Sequence, residues 1–251
     1  MPASLPIMSY CGPPPLPDDL WGRWNLDPLL IVAMAVGIGL FLLAQPRSAR
    51  DRASFLAGMA VLAVIFISPL CALTVALFSA RVVHHVLLVA VAAPLLAWSM
   101  LGRMTAANAA VLSRLLTPLL LLHTVVFWLW HAPDAYALAL TSTPIYWVMQ
   151  ASLLLSATLF WGSVLLASPA RAIAALVAVT VQMGLLGALL VFSGQPLYWP
   201  HFTTTLPFGL DAHTDQQLAG LIMWVPASLP YLLVAVLRLS AWLRQSEARR
   251  A

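Results

Sequence analysis

The chain has 251 residues, of which 62% are hydrophobic and only 8% charged, with a mean hydropathy of +0.94. That composition excludes an ordinary soluble domain and reads as an all-α polytopic membrane protein. All twelve basic residues are arginine, so the net charge of +4 comes from arginines that flank apolar stretches, which does not suggest nucleic-acid binding, and no chemistry through a lysine Schiff base, retinal photoreception included, is available.

Residues 1–20 are proline-rich and lack the basic-then-apolar pattern of a cleaved signal peptide, so the first apolar stretch is expected to stay in the mature protein. A helix that crosses a bilayer needs roughly 20 mostly apolar residues. Seven stretches meet that need approximately: Asp27 to Ala44, Ala53 to Leu73, Val82 to Leu101, Leu115 to Trp130, Pro144 to Leu166, Ala172 to Phe192 and Gln216 to Leu237. Pro69 and Pro94 free backbone carbonyls inside such stretches and predict kinks.

Orientation follows from the arginines. With seven spans, Arg47, Arg50, Arg52, Arg103, Arg114, Arg171, Arg238, Arg244, Arg249 and Arg250 all fall on one side. The other side carries Arg23 and Arg81 against Asp18, Asp19, Asp27, Asp134, Asp211 and Asp215. The expected architecture is a seven-transmembrane-helix bundle with the N-terminus outside and the C-terminus cytoplasmic. It divides into an extracytoplasmic segment 1–26, one transmembrane domain 27–237 and a cytoplasmic tail 238–251.

This topology puts most of the histidines on the outer face. His84 and His85 open the third helix, His131 ends the fourth, and His201 and His213 lie in the long outer loop 193–214. His123 sits eight residues before His131, about 12 Å deeper at 1.5 Å per residue. Imidazole suits copper, zinc or iron, and Met149, Met223 and Cys71 would suit reduced copper. Structural anchoring by interfacial histidines and tryptophans is the competing reading, because no spacing is a tight metal signature. Cys11 and Cys71 permit one disulfide at most.

The most distinctive stretch is Thr214 to Pro226, where Asp215, Gln216 and Gln217 lead into an apolar helix. Asp215 reads as its N-cap, and the small residues Ala219 and Gly220 let a neighbouring helix approach closely. Arg81 shares a helix face with His85, four residues on, and either reaches the interface or pairs with Asp215 or Asp134. No GxSxG, HExxH, Walker-type or GxGxxG segment is present, so nothing argues for an enzyme.

The segment Asp215-Gln216-Gln217 through Trp224-Val225-Pro226 resembles the CtaG-type cytochrome c oxidase assembly factors of bacteria. Supporting stretches are Trp130-His131-Ala132-Pro133-Asp134-Ala135-Tyr136, Phe78-Ser79-Ala80 followed by His85, and Ala93-Pro94-Leu95-Leu96. The resemblance spans the second to the seventh helix. It implies a multi-pass protein of the bacterial plasma membrane, needed for an active haem-copper oxidase, with copper as its cargo and oxidase subunits or a copper chaperone as partners. It also implies outer-face site positions at His85, His131, Tyr136, Asp215 and Gln216, and His84 is the further imidazole beside them. Three positions depart from the family pattern: Arg81 stands where a histidine is usual, His84 where a glutamine is typical, and Gln150 where a further histidine aligns.

The expected function is therefore oxidase maturation by binding rather than turnover, acting from the outer face. His85 and His131 are the expected metal ligands, with Asp215 and Gln216 orienting them. The alternatives are a copper permease using His123, Gln150, Gln182 and Met183, a haem-binding redox protein, and a metal-free scaffold for oxidase subunits.

Overall fold

The computed structural model describes residues 9–44 and 48–248. Arg47, Arg249 and Arg250, used in the charge argument above, lie outside the described residues, as do residues 1–8 of the N-terminal segment. Among the described residues the chain is helical and forms no strand beyond an isolated bridge between Ser9 and Gly12.

The helices are α1 (Pro28–Leu43), α2 (Ala49–Ile67), α3 (Leu70–Ala76), α4 (Phe78–Val86), α5 (Ala93–Leu101), α6 (Ala106–Arg114), α7 (Leu116–His131), α8 (Pro133–Thr141), α9 (Thr143–Leu166), α10 (Pro169–Phe192), α11 (Ala212–Trp224) and α12 (Leu229–Ala248). Four apolar helices are long enough to cross a membrane: Phe78–Leu101, Thr143–Leu166, Pro169–Phe192 and Ala212–Ala248. The count rises to six if α2 with α3, bent by 48°, and α6 with α7, bent by 59°, are each one span. The expected first span, α1, has 16 residues and reaches only about 24 Å against a hydrocarbon core of about 30 Å.

The breaks have identifiable causes. Pro69 ends α2, and the carbonyls it leaves are used: Asn25 donates its side-chain amide to Phe66 O and its backbone N–H to Ile67 O. Between α4 and α5 the chain passes through a π-helical segment, Leu87–Ala92, just before Pro94. The Trp161 indole donates to Val89 O within that segment at 2.9 Å, so a loosened carbonyl is satisfied inside the core.

Contacts sort the chain into two ends. At one, Arg238 donates to Val164 O and Leu165 O at the end of α9, and Asp51 lies against Gly102 at the end of α5. At the other, Cys11 and Cys71 form a disulfide, Tyr10 donates to Asp27, the N-cap of α1, and stacks on Tyr146. The loop after α10 closes over this second end. α10 crosses α11 at a pair of glycines: a Cβ at Gly220 would meet Gly187 O at 2.6 Å, and a Cβ at Gly187 would meet Gly220 O at 2.8 Å. The small-residue groove anticipated at Ala219 and Gly220 is this crossing.

Candidate functional site

Two imidazoles face each other inside the bundle near the loop-covered end. His85 comes from α4 and His131 from the last turn of α7, both about 95% buried, with ring centres 6.0 Å apart. His131 Nδ1 lies 2.7 Å from Phe127 O, one turn earlier. Since only an N–H can bond that carbonyl, the proton is on Nδ1 and Nε2 keeps its lone pair. Neither nitrogen of His85 has a hydrogen-bond partner, so no hydrogen bond sets that ring's tautomer. A metal bound about 2.0 Å from an imidazole nitrogen lies roughly 3 Å from the ring centre, so two rings sharing one ion stand up to roughly 6 Å apart. The pair stands at the upper limit of that spacing.

A small cavity of about 10 Å³, the room it gives to the centre of a water-sized sphere, adjoins the two rings and presents an apolar wall. Its walls include His85, His131, Met183 of α10 and Met223 of α11, with Val89 and Phe127. A second cavity of the same size lies beside it, lined by His123, Gln182 and Tyr231, and it shares Val89, Phe127 and Met183 with the first. His123 Nδ1 is 3.0 Å from the Ser156 hydroxyl, and Gln182 accepts from the Trp128 indole at 3.1 Å.

The other anticipated residues hold the frame around this pair. Asp215 is not the cap of its own helix; Asp211 is, accepting from Thr214 N. The Asp215 carboxylate reaches across to the start of α4, accepting from Phe78 N at 2.7 Å, from Ser79 N and from the Ser79 hydroxyl. The residue thus caps the helix that carries His84 and His85, where free N–H groups and the helix dipole favour an anion. Gln216 clamps the loop after α10 instead: its oxygen accepts from Leu197 N at 2.7 Å, and its amide donates to Leu190 O and the Ser193 hydroxyl. Neither side chain hydrogen-bonds an imidazole of the pair.

His84 packs edge-on against Phe66 and lies 5.7 Å from the His85 ring. Arg81 neither reaches the interface nor pairs with an acid. It is fully buried, with its guanidinium 5.4 Å from the Tyr146 ring centre and Nη2 donating to Thr74 O at 3.4 Å. Among the described residues the one salt bridge joins Arg23 to Asp19. Cys71 is withdrawn as a copper ligand by its disulfide. Met149 is fully buried but does not line the cavity, and among the described residues no three of His, Cys, Asp or Glu converge as a metal cluster.

The loop after α10 covers the pair. Tyr198 donates to His131 O at 2.7 Å and its ring stacks on Phe78 with centres 3.8 Å apart. His201 accepts from Tyr136 OH at 2.7 Å through Nε2 and donates from Nδ1 to Ala76 O at 3.2 Å. Burial, with a further push from the Arg81 charge, lowers the His201 pKa to about 3, although the bond to Ala76 O opposes the shift. This loop therefore holds a neutral imidazole.

The family model described as cytochrome c oxidase caa3 assembly factor (Caa3_CtaG) matches residues 37–245. The chain belongs to that family. No curated protein and no solved structure matches it. The matched region of this assembly-factor chain contains α4, α7, α10 and α11, and hence both imidazoles and both methionines of the cavity. In the sequence Met183 reads only as part of a transmembrane path. Its convergence with Met223 depends on how α10 and α11 rotate at the glycine crossing, for which the linear sequence carries no signal.

Proposed function

We propose that the chain acts from the outer face of a bacterial plasma membrane in the maturation of a cytochrome c oxidase, and that it handles copper for that enzyme. The work is binding and transfer rather than turnover, with oxidase subunits or a copper chaperone as partners. The observation that carries the copper reading is the His85–His131 pair, with ring centres 6.0 Å apart and buried over a small cavity. His131 has the hydrogen bond that second-layer carbonyls usually make to metal-binding imidazoles, with Nδ1–H held by a carbonyl and Nε2 left free.

Two lines support the orientation. The arginines at the α2, α5, α9 and α12 ends satisfy the positive-inside rule if that end is cytoplasmic. The Cys11–Cys71 disulfide belongs to an oxidising compartment and sits at the opposite end, with the site and its covering loop. Counting α1 as a short first span, the two bent pairs as one span each and the four long helices gives seven crossings, with the N-terminus outside and the C-terminus in the cytoplasm.

Metal analysis of the purified protein after anaerobic loading with Cu(I) tests the reading. Wild type is expected to retain one copper per chain and the His85→Ala/His131→Ala variant none. No copper retained by either would remove the copper role and leave a metal-free scaffold for oxidase subunits. A permease is the second reading, favoured by the neighbouring cavity at His123 that shares Met183 with the first. Copper uptake into proteoliposomes containing the protein would establish it, and retention without flux would exclude it.

A further inference from the structure

We propose that His85, His131, Met183 and Met223 together form a site selective for Cu(I), in which two thioethers complete the coordination that the imidazoles begin. The proposal rests on the copper-handling reading above and goes beyond it by naming the oxidation state and the sulfur ligands. All four side chains wall one small cavity and all are at least about 95% buried. They come from four different helices, α4, α7, α10 and α11. The cavity has room for a single water-sized atom.

The chemistry of the set selects the ion. Thioether sulfur is a soft ligand that suits Cu(I), and neutral imidazole accepts the same ion. Every candidate ligand is uncharged. The two cysteine sulfurs are tied up in the disulfide, and Asp215 is spent on the start of α4. A divalent ion would thus enter the bundle with nothing to neutralise it, while Arg81 already places a fixed positive charge on the same helix as His85. The cost of burying an ion rises with the square of its charge, which penalises Zn(II) and Cu(II) far more than Cu(I). No hydrogen bond in the protein occupies either His85 nitrogen, and the His131 ring is already set in the tautomer that leaves Nε2 unprotonated.

The test compares wild type, Met183→Leu/Met223→Leu and His85→Ala/His131→Ala in detergent under anaerobic conditions. Cu(I) affinity is measured by competition with a chromogenic Cu(I) chelator, and X-ray absorption reports the atoms around the copper. Leucine is close to methionine in volume, so the methionine variant is expected to keep the wild-type Tm. Wild type should bind one Cu(I) with sulfur and nitrogen neighbours, bind Ag(I) competitively and ignore Zn(II). The methionine variant should lose at least tenfold in affinity and its sulfur signal, and the histidine variant should lose binding altogether.

Unchanged affinity in the methionine variant, or copper surrounded only by nitrogen and oxygen in wild type, would overturn the thioether proposal and leave the histidine pair standing. Zn(II) binding as tight as Cu(I) would overturn the selectivity. Wild type that binds no Cu(I) would overturn this proposal and the copper-handling reading together.

Discussion

Asp215 shows how a single residue can be recognised as significant while its role is read wrongly. An acid at the head of an apolar helix is normally that helix's own cap, and local rules assign it so. In the fold, Asp211 does that work and frees Asp215 to cap α4, a segment 136 to 137 positions away. A long-range hydrogen bond leaves no mark in local spacing. Because the acceptor is charged and the receiving N–H groups are buried, Asp215→Asn should destabilise the protein by about 1.5–3 kcal/mol. It should also weaken copper retention by loosening the start of α4, and thermal unfolding in detergent with metal analysis checks both effects. His201 offers a test by pH. Its pKa is pushed down to about 3 in the fold from an ordinary 6.5, so the unfolded loop takes up a proton that the folded one refuses. The stability of the covering loop is therefore full above pH 6.5 and falls by about 1.4 kcal/mol per pH unit below it, down to about pH 3. Hydrogen exchange of residues 193–211 should show that slope, and His201→Asn should abolish it.

At the scale of elements, apolar stretches of bilayer length were legible, because composition alone requires them. The bends were only partly so. Pro69 pointed to the α2–α3 break and Pro133 to the boundary between α7 and α8, but the existence of α6 as a separate helix had no comparable signal. The last span, α11 and α12 joined through Pro226–Ser228, runs 37 residues from Ala212 to Ala248. That is roughly 55 Å at 1.5 Å per residue, far longer than the bilayer core, so hydropathy saw only its apolar middle. Small residues were a dependable guide to the α10–α11 crossing, where the Gly187 and Gly220 backbones touch. Gly220→Ala forces a methyl to within 2.6 Å of Gly187 O and 2.8 Å of Val191. The helices must separate, at a cost of about 1–3 kcal/mol. Since Met183 and Met223 ride on these two helices, the same variant should lose Cu(I) affinity although it touches no ligand. Copper binding unchanged beside a lowered Tm would show that the cavity tolerates the shift.

At the scale of the whole molecule, the arrangement is a bundle with a cationic end, a disulfide-tied end, and a small ligand-lined cavity lying under the second. The disulfide links the N-terminal segment to α3 across 60 residues of sequence. Removing it by Cys11→Ser/Cys71→Ser should cost about 2–4 kcal/mol. Thiols engineered near Arg238 should be labelled from the cytoplasm only, which checks the orientation independently of the arginine count. The family was legible from the motifs at the disulfide-tied end because those residues fix the loop, the α4 cap and the histidine pair together. The most direct measurement of the central claim is the copper content and turnover of the cytochrome c oxidase in the cell that makes this protein, with wild type replaced by His85→Ala/His131→Ala at equal membrane abundance. The oxidase should be present but copper-deficient and inactive, with partial recovery when copper is added to the medium. Fully metallated, active oxidase in the variant would contradict it.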